Sequence, residues 1–117
     1  MAVKNAGQIV LFKFPQTNLV VGKLRPALLL KQIAGEYGDW LTCMVSTKTG
    51  REVIDLDNII EMTDEDFGQS GLKSASVFRV SRLAVVADGV PIGTIGEISP
   101  ARLAIIKKNL ADWIESC

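Results

Sequence analysis

Apolar and polar positions along the chain divide it into short alternating stretches followed by one helical stretch. Gln8 to Phe14 is rich in β-formers, with Val10, Phe12 and Phe14 on one face and Ile9, Leu11 and Lys13 on the other. Both faces are largely apolar, so one is expected to meet the core and the other a neighbouring strand layer or a second subunit. Pro15 stops this strand, and a loop with Gly22 near its end follows. Pro26 to Ile33 reads as a second strand preceded directly by Arg25, and GEYGD as a turn. In Trp40 to Ser46, Leu41, Cys43 and Val45 form the expected core face. Trp40, Thr42, Met44 and Ser46 share the other, so Ser46 ends the strand pointing away from the core.

The stretch 52–66 mixes apolar residues with acids, consistent with a short strand and one or two helical turns wearing acids outside. TDEDFGQSGLK reads as a loop. Ser76 to Val86 reads as a long strand whose alternation slips between Arg79 and Arg82, the mark of a bulge or bend. Asp88-Gly89 supplies a turn, and Pro91 to Ile98 a last short strand in which the glycines suit a turn or a tight corner. Ser99 is an expected N-cap with Pro100 at the first helical position, and Leu103, Ile106, Leu110 and Trp113 recur at helical spacing, which places Trp113 in the core. Five or so strands and a terminal helix predict a mainly β chain, a small barrel with a packed C-terminal α-helix. At 117 residues the chain is expected to form a single domain.

Composition narrows the chemistry. The chain has no histidine, which removes Ser-His and Cys-His nucleophiles, His-containing zinc sites and HExxH metalloproteases together. Cys43 lies in an apolar run and Cys117 ends the chain, a spacing that matches no zinc or redox motif, so one reads as core and the other as a free tail thiol. No apolar run approaches the roughly 18 residues a membrane span requires. Lys13 interrupts the first apolar stretch, which makes a poor signal peptide, so a cytoplasmic address with no membrane contact is expected.

Net charge is zero, but its distribution is uneven: residues 1–51 hold seven basic residues against two acidic ones, and 52–66 hold seven acids and no base. A locally basic N-terminal half is able to present an anion-binding groove.

GQIVLFKFP, GKLRPALLL and CMVSTKTG, in that order, resemble the MazF/PemK family of toxins, and the later DFGQSGLKSASVFRVSRLAVV and IGTIGEISPARLAIIKKNL extend the resemblance to the PemK-like branch over nearly the whole chain. The resemblance implies an SH3-like β-barrel over residues 1–117 that forms a homodimer, cleaves single-stranded RNA at short sequences and is neutralised by a cognate antitoxin. It implies no metal and no other cofactor, with 2′,3′-cyclic phosphate and 5′-hydroxyl ends as products. The family's catalytic Arg falls on Arg25, and its strand-end Thr on Ser46, with Thr47 beside it. Lys23, Lys48, Arg79 and Arg82 are candidate RNA contacts. Trp40 is placed either to stack a base or to pack at the barrel rim or dimer contact.

Two departures from the family pattern stand out. Ser46 keeps the hydroxyl without the methyl, and where many members carry an acidic residue followed by Gln in the late strand, this chain has Ser81 and Arg82. The same barrel is used by CcdB-like proteins that bind DNA gyrase through C-terminal residues and cut nothing, which leaves a non-catalytic alternative of the same fold.

Overall fold

A computed structural model describes residues 4–13 and 24–116. The chain order is β1 (Gln8–Lys13), β2 (Leu24–Gln32), β3 (Trp40–Ser46), β4 (Asn58–Ile60), α1 (Phe67–Ser70), β5 (Ser76–Val86), β6 (Gly93–Glu97) and α2 (Pro100–Glu115). The strands make one six-stranded sheet ordered β4-β5-β3-β2-β1-β6, every pair antiparallel. The mainly β architecture with a C-terminal helix is the expected one. No helix among the described residues is long and apolar enough to cross a membrane.

Alternation along the strands gives the sheet two apolar faces. One carries Ile9, Leu28, Leu30, Cys43, Val45, Phe78 and Val80, joined by Ile98 and by Ile106 of α2. The other carries Val10, Phe12, Ala27, Leu29, Trp40 and Val86. Val10 and Phe12 are therefore buried within one chain, with no second subunit needed to enclose them. Phe14, Pro15, Gly22, Lys23 and Cys117 lie outside the described residues.

Three differences from the sequence reading have physical causes. β2 starts at Leu24 and ends at Gln32, so Arg25 belongs to the strand and pairs with Phe12 of β1. The ladder to β3 begins at Ala27, directly after Pro26, whose missing N–H cannot join it. Helix α1 occupies part of the stretch read as a loop, because a single turn is too short to show a helical period. Trp113 is 56% exposed, since α2 passes beyond the core after Leu110, and only Ile106 of this helix is fully buried.

The sheet curls so that α1, which follows β4 at one edge, packs against β6 at the other. Two glycines permit that approach. A Cβ on Gly96 would lie 2.3 Å from the Ser70 carbonyl carbon, and one on Gly71, which has φ +74°, would lie 2.0 Å from the Ile95 carbonyl oxygen. Backbone cannot yield as a side-chain tip can. Gly96→Ala is therefore expected to destabilise the fold by about 2 kcal/mol, the scale of overpacking. Gly93→Ala on the same strand, where a Cβ meets nothing within 4 Å, is the control. Urea midpoints of the two variants check this, and equal midpoints would refute close contact as the cause.

Candidate active site

The β2–β3 ladder runs up to Ala27 opposite Met44, and two residues further along each strand stand Arg25 and Ser46, on the same face. β5 continues the row, with Met44 opposite Arg79 and Ser46 opposite Val77. Arg25, Ser46 and Arg79 thus project from three neighbouring strands on one side of the sheet. With strands spaced about 4.8 Å apart, the backbones of β2 and β5 here are separated by roughly 10 Å, a span the two long guanidinium side chains can bridge.

Arg25 is exposed, and its side chain makes no ion pair or hydrogen bond among the described residues. Its donors are open to an anion. Ser46 Oγ accepts the Lys48 backbone N–H at 3.1 Å, which fixes the hydroxyl oxygen and leaves its own proton to donate. Thr47 and Lys48 follow in the exposed turn, within one or two residues of Ser46. Arg79 is largely enclosed, its side chain 16% exposed, with Nε 3.3 Å from Oδ2 of Asp57. Arg82 is exposed on the bulge of β5. The bulge is real: Cys43 pairs with Leu83 while Met44 pairs with Arg79, so Val80, Ser81 and Arg82 are extra to the ladder.

Trp40 does not join this group. It sits at the far end of β3, six residues and about 20 Å of extended chain from Ser46. Its ring is 4% exposed, packed with Val86 and Leu29, and Nε1 donates to Asp88 Oδ1 at 3.2 Å. A ring enclosed in this way offers no face to a base, and the packing role is the one observed. Lys23, the remaining candidate contact, lies outside the described residues.

Cys43 is a buried free thiol. Burial pushes it far above the ordinary thiol range, with the negative charge of Asp57 adding to the effect, so it is no nucleophile. Among the described residues there is no group of three or more His, Cys, Asp or Glu side chains able to hold a metal ion.

The sequence reading missed the buried acids. Asp57 and Asp66 are 9% and 5% exposed, whereas the stretch 52–66 was expected to carry its acids outside. Each is enclosed because an arginine and backbone N–H groups satisfy it: Asp57 faces Arg79 and accepts from Val53 and Ser81, and Asp66 is gripped by Arg102 and accepts from Ser99. The available signal was Asp57 sitting directly between Leu56 and Asn58-Ile59-Ile60, an acid embedded in an apolar run.

Residues 5–114 match the family described as PemK-like, MazF-like toxin of type II toxin-antitoxin system. The chain belongs to that family. Among solved structures it is similar to an endoribonuclease in complex with its cognate antitoxin from mycobacterial species, with 16% sequence identity, a TM-score of 0.63, and coverage of 96% of this chain and 95% of that one. At that identity the likeness is one of fold. No curated protein matches the sequence.

Proposed function

We propose that this PemK-like chain is a cytoplasmic toxin that, as a homodimer, cleaves single-stranded RNA at short sequences and is neutralised by a cognate antitoxin. The observation that carries the reading is the exposed Arg25 guanidinium, free of protein partners among the described residues, on the sheet face shared with Ser46 and Arg79. Family membership, and a fold shared with an endoribonuclease seen bound to its antitoxin, support it.

RNA supplies its own nucleophile. The 2′-hydroxyl attacks the adjacent phosphorus and gives up its proton to solvent, the P–O5′ bond breaks, and the departing oxygen takes a proton to become a 5′-hydroxyl. The other product end is a 2′,3′-cyclic phosphate. Arg25 stabilises the charge that grows on the phosphoryl oxygens, since a guanidinium offers forked donors and stays charged at any working pH. Ser46, held by the Lys48 N–H, hydrogen-bonds the 2′-hydroxyl or a phosphoryl oxygen and keeps its own proton, with Thr47 as the neighbouring hydroxyl. Arg79 meets the same phosphate as Arg25, and Arg82, Lys48 and Lys23 contact the flanking phosphates. No step requires a metal or other cofactor.

The test is incubation of the purified protein with a long unstructured RNA in EDTA, followed by chemical identification of the new ends. Cyclic phosphate and 5′-hydroxyl termini are the expected products, and an intact RNA would overturn the reading. The exposure of Trp113 and Ile114 at the end of α2 favours one rival, a CcdB-like protein that binds a partner through its C-terminal residues. Inhibition of DNA gyrase without RNA cleavage would select it.

A further inference from the structure

The Asp57 side chain is fully enclosed, with 0% exposure, and one of its partners, Arg79, belongs to the candidate active site. Oδ1 accepts the Ser81 N–H at 2.9 Å. Oδ2 accepts the Val53 N–H at 2.8 Å and the Ser81 hydroxyl at 3.1 Å, and lies 3.3 Å from Arg79 Nε. The extra residues Val80 to Arg82 make this possible: they release the Ser81 N–H from the ladder with β3, and it turns to the carboxylate instead.

Arg79 is gripped along one edge only. Its Nε is buried and has no aligned hydrogen bond, so its hold on Asp57 is that of opposite charges in an enclosed place. Its two terminal nitrogens are not enclosed and bond to nothing among the described residues, leaving four N–H donors on the face that carries Arg25 and Ser46. A guanidinium anchored at its inner edge loses rotamer freedom before the substrate arrives rather than on binding.

We propose that Asp57 is a positioning residue for RNA cleavage, holding Arg79 by its Nε edge so that the outer edge meets the scissile phosphate alongside Arg25. This rests on the nuclease reading above. Saturated with donors and closed to solvent, Asp57 cannot reach a 2′-hydroxyl and is not the base. It does put a carboxylate beside Ser81, the position where the family resemblance implies an acidic residue, and it brings that group from the chain before β4.

Asp57→Asn preserves the shape and removes the charge. It is expected to lower kcat by roughly 10²-fold, the scale set by displacing a reacting group by about an ångström, with KM within about threefold of wild type. Ser81→Ala, which keeps the carboxylate and its charge, is the second variant should Asp57→Asn fold poorly, and a several-fold loss in kcat is expected from it. An independent measurement is the Arg79 Nε–Hε resonance in ¹⁵N spectra, assigned by its disappearance in Arg79→Lys. In wild type it is expected to stand apart and exchange slowly, and in Asp57→Asn to move to the position of exposed arginines. Wild-type kcat in both variants, or an Arg79 resonance indifferent to Asp57→Asn, would overturn the proposal. If wild-type protein leaves RNA intact, the nuclease reading fails by itself, and the resonance still decides whether Asp57 holds Arg79.

Discussion

Replacing Arg25 with alanine is expected to lower RNA cleavage by roughly 10²-fold or more, the loss seen when one preorganised donor to a developing oxyanion is removed. The fold should be indifferent to the change. The Arg25 side chain is exposed and has no partner among the described residues, and exposed substitutions of that kind stay within about 0.5 kcal/mol. Arg25→Lys separates charge from shape: an ammonium keeps the charge but donates from a single point, so it should recover only part of the rate. The measurement is the initial rate of cleavage of an unstructured RNA in EDTA, paired with urea midpoints for each protein. Equal rates for wild type and Arg25→Ala, with equal midpoints, would remove Arg25 from the chemistry.

Arg25 shows how a short sequence pattern acquires its geometry. Pro26 fixes the point where the β2–β3 ladder begins, so the residue before it lies on a strand yet outside that ladder. Ser46 ends β3 in the matching place. Both features were readable, because the alternation of Trp40 to Ser46 is clean and Pro26 is conspicuous. The bulge in β5 was readable for the opposite reason, since the alternation fails between Arg79 and Arg82 and the ladder skips Val80 to Arg82. The start of α2 was readable too: Ser99 Oγ accepts the Arg102 N–H at 3.1 Å, as the Ser-Pro pair predicts.

A short strand was readable within 52–66, where β4 lies, but α1 was not, because four residues are shorter than any period that would reveal them. Nor was the fate of Trp113. Helical spacing gives its face but cannot tell where the body underneath the helix stops. The buried acids are the largest gap. Asp57 and Asp66 look like solvated charge in an acid-rich stretch, and only tertiary structure brings Ser81 and Arg102 to them across 24 and 36 residues of chain. Sequence patterns record local fit, whereas a buried charge is decided by its distant partner.

Arg102 makes that dependence measurable. All five of its N–H groups are used: Nε and Nη2 fork onto Asp66 at 2.8 and 3.1 Å, Nη2 also reaches Asp64 at 2.8 Å, and Nη1 donates to Asn58 Oδ1 at 2.7 Å and the Ile59 carbonyl at 3.0 Å. Asp66 also accepts the Ser99 N–H at 3.0 Å, so this one arginine ties the N-terminus of α2 to β4 and to the loop before α1. Arg102→Ala strands a carboxylate that is almost fully enclosed. The expected loss is about 3–5 kcal/mol at neutral pH, a large part of the roughly 5–15 kcal/mol that holds a domain together.

The pH dependence distinguishes this mechanism from mere loss of packing. Hydrogen bonding from Arg102, opposed by burial and aided by the Ser99 N–H, lowers the Asp66 carboxyl from 3.8 to about 2. A depressed carboxyl contributes its stabilisation above the unfolded value and loses it as pH falls through the folded one. The contribution here is about 2 kcal/mol, present at pH 5 and withdrawn between about pH 4 and pH 2. Arg102 itself is pulled down by burial but raised on balance by Asp66 and Asp64, so it stays charged throughout that window. In Arg102→Ala the burial effect is left unopposed by a cation and favours the protonated carboxyl, so acid should not withdraw the same increment from the variant. The gap between wild type and variant is therefore expected to narrow by about 2 kcal/mol on going from pH 7 to pH 2.5, read from urea unfolding at fixed protein concentration. A gap that stays constant across that range would mean that Arg102 contributes through packing alone, and that Asp66 is not held by its charge.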